Sequence, residues 1–167
     1  HGWYGHLLIR EGRYDEAFVE SEIAIDIDPL GPGKRGGTSQ DAIAAGRYEV
    51  AIREAQRGFT LQPTLVGRFR FLEGLAHLLD MRPDTCLDLL GELSLGIRAM
   101  CQYSRGEVAR SMEMLDSLKN NLDSADQPRN RQEMLLYRNI AMFYAWIGEV
   151  DQTLDWICLL YTSPSPR

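Results

Sequence analysis

The side chains of this 167-residue chain that could do chemistry are few, and most have the wrong spacing for it. His1, His6 and His77 show no H-E-x-x-H or similar pattern, so no metal site is expected from them. Carboxylates are plentiful, as in Asp15-Glu16, Glu20-x-Glu22, Asp26-x-Asp28 and Asp123-x-x-Asp126. General acid–base work needs two that converge across a cleft, whereas neighbours one or two positions apart on a helix diverge into solvent. Gly31 to Thr38 has the glycine content of a phosphate loop. A true G-x-x-x-x-G-K-[ST] would need Gly where Asp28 stands and Ser or Thr where Arg35 stands, and no strand precedes it. Ser94 lacks the glycine two positions earlier that a nucleophile elbow requires. No catalytic residue and no cofactor is expected.

What must position the remaining side chains is helical. Gly12, Arg13, Tyr14, Ala17 and Pro29 return 34 positions later as Gly46, Arg47, Tyr48, Ala51 and Pro63. In each case a glycine able to end one helix is followed by a second helix with small residues on one face, Ala17 and Ala24 in the first unit, and a proline at its exit. The spacing predicts helices over Gly2 to Arg10 and Tyr14 to Ile27. In the second unit the first helix reads as degraded, because four glycines in seven residues (Gly31 to Gly37) oppose helix. There the sequence predicts a loop and then a stub to Ala45, capped by Thr38 or Ser39. A third hairpin follows, from Leu65 to Leu79 and from Pro83 to Leu93, without a glycine at Asp80 where the period would put one. Gly106 turns a fourth pair and Gly148 a fifth, 42 positions on, the intervening polar stretch Asn120 to Arg131 reading as a flexible loop. The fifth unit restores the pattern with Tyr137, Ile140, Ala141 and Tyr144.

A 34-residue period with G-x-Y-x-x-A turns and closing prolines resembles the tetratricopeptide repeat (TPR) family, with specific matches in units one, two and five and loose ones in three and four. The flavour is similar to TPR regions of bacterial signalling and transcriptional regulators. The resemblance covers most of residues 1 to 157 and implies an all-α solenoid of about five antiparallel helix pairs, a right-handed superhelix truncated at both ends. Residues 158 to 167, Cys158 to Arg167, resemble the in-frame translation of a transposase-type sequencing adapter and are expected to be a non-native tail. Family geometry implies that first helices line a concave groove. Carried over position by position, His6 and Ile9, Arg70 and His77, Tyr103, and Arg138, Asn139 and Met142 are its expected lining. Arg138 beside Asn139 also resembles TPR clamps that grip a peptide carboxylate by charge-assisted hydrogen bonds.

Totals narrow the partner. Lys and Arg number 18 against 24 Asp and Glu, a net charge of −6 that repels a phosphate backbone. Cys86, Cys101 and Cys158 show no C-x-x-C spacing, so neither disulfide framework nor zinc site is implied, and a reducing cytoplasm fits. No apolar run approaches the length of a membrane span. The expected role is a protein-interaction module holding a peptide or protein partner. Two rivals are kept: a helical ligand-binding or enzymatic domain, and nucleic-acid binding through Arg53, Arg57, Arg68 and Arg70. Self-association is expected through an apolar flank of Ile140, Phe143, Tyr144 and Trp156 left uncovered in the last pair.

Overall fold

The computed structural model describes residues 1–123 and 131–162. Among these residues every regular element is helical: α1 (Gly2–Arg10), α2 (Tyr14–Ile27), α3 (Pro32–Ala44), α4 (Tyr48–Leu61), α5 (Val66–Leu79), α6 (Pro83–Leu90), α7 (Leu95–Ser104), α8 (Val108–Asp123), α9 (Arg131–Ile147) and α10 (Val150–Thr162), with a short 3-10 turn at Pro63–Leu65. The chain divides into two compact units, His1–Leu93 and Ser94–Arg167. The tail boundary expected at Ile157 falls inside α10, which continues to Thr162. The expected loop at Asn120 to Arg131 is helical at both ends, up to Asp123 and from Arg131, and its centre lies outside the described residues.

Five hairpins are closed by one backbone device. Gly12, Gly46, Met81, Gly106 and Gly148 each take a positive φ. At each, the residue's own N–H bonds back three positions and the next N–H bonds back five, as in Gly12 to Ile9 (3.0 Å) and Arg13 to Leu8 (2.9 Å). These are the two bonds of a Schellman turn, which satisfy carbonyls left open at a helix end. The third turn uses Met81 where the 34-residue period points to residue 80, so the third hairpin is displaced by one position. An L-residue in this region carries about 1–2 kcal/mol of strain. Met81 is 76% exposed and loses little contact if truncated. Met81→Gly is therefore expected to stabilise the chain by about 1 kcal/mol, read as a raised urea midpoint. An unchanged or lowered midpoint would contradict the strain assigned to this turn.

A second constant accompanies the turn. Seven positions before the left-handed residue and five after it the residues are small: Gly5 and Ala17, Ser39 and Ala51, Gly74 and Cys86, Ala99 and Ser111, Ala141 and Thr153. Small pairs allow two helices to come close, and hydroxyls there bridge the gap. Ser39 Oγ donates to the Ala51 carbonyl at 2.9 Å, and Ser111 Oγ donates to the Ala99 carbonyl at 2.7 Å.

In the first unit α3 packs on α1, α2, α4 and α5, so the first helices α1, α3 and α5 are successive neighbours. The expected loop across Gly31 to Thr38 is instead a continuous helix, α3, started by Pro32 at its first position. Tertiary packing overrides propensity here, because side chains from neighbouring helices need the space the glycines leave. A Cβ on Gly36 would stand 2.8 Å from the Arg68 guanidinium, and one on Gly37 would stand 3.4 Å from His6 Nε2. Thr38 and Ser39 accordingly lie inside the helix rather than capping it, and Thr38 Oγ donates to the Lys34 carbonyl. Packed beneath, Ala42, Ala51 and Ala76 form one core cluster, and Ala55, Phe69 and Leu72 another. Helix α6 ends at Leu90, before Gly91 turns with φ 52°, so Leu93 lies beyond it rather than inside it as the periodicity suggests. Cys86 is fully buried.

The second unit repeats the arrangement: α7 packs on α8 and α9, α8 on α9, and α9 on α10. Cys101 is buried on α7, and Cys158 is a free exposed thiol. The apolar flank expected to be uncovered is largely covered: Ile140 and Phe143 are fully buried and Tyr144 nearly so, while the Tyr137 and Trp156 rings lie 5.7 Å apart. Tyr103 of α7 packs against Phe143, Lys119 of α8 lies over Tyr144 and Trp156 of α10 meets Tyr137, while Val150, Leu154, Leu159 and Tyr161 of α10 are exposed. No described helix is long and apolar enough to cross a membrane.

Candidate partner-binding cleft

Helices α1 and α3 lie side by side in the first unit, and Gly33 and Gly37 fall one turn apart on the same face of α3. A helix face without side chains leaves space. The space is a cleft of about 510 Å³ bounded by Trp3, His6, Lys34, Gly37, Asp41 and Arg68. His6 Nδ1 lies 2.5 Å from Asp41 Oδ1, joining α1 to α3. With Nδ1 so engaged, Nε2 is the ring atom that approaches Gly37. Asp41 is 5% exposed. Burial pushes its carboxyl above the ordinary value of 3.8, and the bond from His6 offsets only part of that. Trp3 is 90% exposed and meets the His6 ring edge-on, centroids 6.0 Å apart. Lys34 pairs with Asp28 at 3.2 Å. Arg68 is exposed over Gly36 and makes no ion pair among the described residues.

The expected lining residues are spread over both units. His6 and Ile9 lie on α1, Arg70 and His77 on α5, Tyr103 on α7, and Arg138, Asn139 and Met142 on α9. His6 alone among them borders the cleft. Arg70 donates to Glu73 at 3.0 Å and lies 5.0 Å over the Phe59 ring. Because the third turn centres on Met81, His77 stands at the position of the buried Leu8 rather than at that of Ile9. His77 is buried, and burial, assisted by Arg82, holds its imidazole below the ordinary 6.5.

In the second unit Tyr103 packs edge-on against Phe143 at 6.3 Å. Asn139 rests on α7, where a Cβ on Gly96 would stand 2.8 Å from its own Cβ. That contact makes Asn139 a spacer between α7 and α9. Burial holds the Arg138 guanidinium below its ordinary value. Met142 is half-buried on the same helix.

Sequence reasoning did not single out Asp41 or Trp3, and it named Arg68 only for the nucleic-acid reading. Asp41 fell in the expected stub to Ala45; the signal for a helix that brings it to His6 was Pro32, which can open one ahead of the glycines. Of the four arginines that motivated a nucleic-acid reading, Arg53 and Arg57 contact Glu54 and Arg70 contacts Glu73, which leaves Arg68. Among the described residues no three His, Cys, Asp or Glu side chains gather closely enough to hold a metal ion.

Neither the models of known protein families nor the curated proteins return a match to this chain.

Proposed function

We propose that this chain is a protein-interaction module, a solenoid of TPR type belonging to a larger regulatory protein of bacterial kind, which holds a peptide segment of a partner along its first helices. The observation supporting this reading is the recurrence of one hairpin five times, with the same turn and the same small-residue pair, its first helices packed as neighbours within each unit. Repetition of that kind builds long recognition surfaces rather than enclosed reaction centres. In the first unit the peptide would lie against the glycine face of α3, with Trp3 as an aromatic anchor and Arg68 as a hydrogen-bond donor. Binding energy concentrates in such aromatic and Arg contacts.

The test is selection of random peptides on the whole chain, followed by hydrogen-exchange mapping. Selected peptides are expected to protect amides of α1 and α3, and Arg68→Ala is expected to weaken them roughly tenfold, the loss of one charge-assisted hydrogen bond. Failure to select any binder, or binders indifferent to Arg68→Ala and Trp3→Ala, would overturn the reading. A second reading, a small-ligand or hydrolytic site, is favoured by one observation: a His–Asp pair opening on a cleft of small-molecule size. It predicts turnover of activated esters that His6→Ala abolishes, which the peptide reading does not.

A further inference from the structure

A second constellation lies where α3 meets α4 and shares no lining residue with the His6 cleft. Glu54, its side chain 4% exposed, receives three guanidiniums: Arg35 at 2.7 Å on one oxygen, and Arg57 at 3.0 Å and Arg53 at 3.2 Å on the other. One buried carboxylate thus gathers three guanidiniums, and the further negative charge near them, Glu22 and Asp26, lies on one side only. Arg35 is 14% exposed, and its buried Nε has no hydrogen-bond acceptor. The carboxylate therefore orients the Arg35 and Arg57 guanidiniums that line the adjoining depressions.

Arg35 and Arg57 form the wall between two depressions. The one of about 170 Å³ is also lined by Glu22 and Asp26, so negative charge is already supplied there. The other, about 300 Å³, is lined besides the two arginines by Pro29, Thr60 and Leu61, with no carboxylate. Thr60 gives its hydroxyl proton to the Gln56 carbonyl, which leaves the arginines as the donors. We propose that Arg35 and Arg57 form an oxyanion-binding site that takes a carboxylate or phosphate carried on a short apolar stem. The guanidinium forks match the planar, two-oxygen geometry of such groups. Pro29 and Leu61 supply an apolar wall for the stem, and the volume, at the lower end for small-ligand sites, restricts the occupant to a small molecule or a single side chain.

The experiment titrates the whole chain with hexanoate and phenyl phosphate, and with acetate and inorganic phosphate as their stemless counterparts, following arginine Nε–Hε resonances by NMR. Saturable shifts at Arg35 and Arg57 are expected. Each stemmed anion should bind roughly tenfold tighter than its counterpart, and the preference between the two identifies the headgroup. Arg57→Gln, at a half-exposed position that leaves the Arg35–Glu54 pair in place, should weaken binding at least tenfold. Leu61→Asp, which puts a negative charge at the apolar wall, should abolish it. Silence of both resonances in all four titrations overturns the proposal, as does undiminished binding by folded Arg57→Gln and Leu61→Asp proteins.

Discussion

Truncating Phe69 to alanine is expected to cost about 3–5 kcal/mol of folding stability, enough to unfold much of the population of a marginally stable domain. The ring is fully buried against Ala55 and Leu72, with Phe59 and Phe71 around it. It also fills the place where a side chain on Gly58 would be, since a Cβ there would stand 2.2 Å from Phe69 Cε1. The two positions therefore form one contact between α4 and α5. Gly58→Ala should destabilise by about 1–3 kcal/mol through overpacking, despite the better helix propensity of alanine. In a Phe69→Leu background the same change should cost much less. Urea unfolding of the four proteins in that cycle measures the coupling. Additive losses would show that α4 and α5 do not meet at this point.

Glu54→Gln is the second large expected loss, about 3–5 kcal/mol, because removing one partner of a buried ionic cluster strands the others. Burial alone would push the Glu54 carboxyl up, but Arg35, Arg53 and Arg57 together outweigh it and hold it below its ordinary 4.5. The sign follows from that direction. A carboxyl with a depressed folded value stabilises the protein fully above pH 4.5 and loses that contribution as pH falls from there through the folded value. The wild-type chain should accordingly weaken on that acid limb, and Glu54→Gln should be weaker at neutral pH with a flatter limb. Arg53 and Arg57 are about half exposed, so single replacements there should cost under about 1 kcal/mol. Denaturant midpoints between pH 3 and 7 decide the matter; identical acid limbs would remove Glu54 from the account.

Much of the helical plan was legible because the signals were local. Gly12, Gly46, Gly106 and Gly148 mark their turns, since a left-handed helix end selects glycine, and Pro29 and Pro63 mark two exits. The third turn was bracketed by the expected helices, but its left-handed residue was not legible, because Met81 tolerates a conformation its chemistry does not advertise. Helix α3 was illegible for a different reason. Its glycines argue against helix taken alone, and only the arrival of His6 and Arg68 from other helices gives them a purpose. The cleft was hidden with it: His6 could be read from its register, while Asp41 and Arg68 became partners through packing between α1, α3 and α5. The Arg57–Glu54 and Arg70–Glu73 pairs lie three positions apart on one helix and are local, whereas the Arg35–Glu54 pair depends on α3 meeting α4, which charge counts do not encode.

The intervals between the five left-handed residues are 34, 35, 25 and 42, yet the two small residues of every hairpin stay twelve positions apart. Length is thus a free variable between hairpins and a fixed one inside them. One residue added within a turn would rotate the following helix by about 100° and carry its small face off the seam, whereas residues added between hairpins would leave all five seams in phase. For this chain, drift in the period is the trace of where lineage or engineering can lengthen it at little cost.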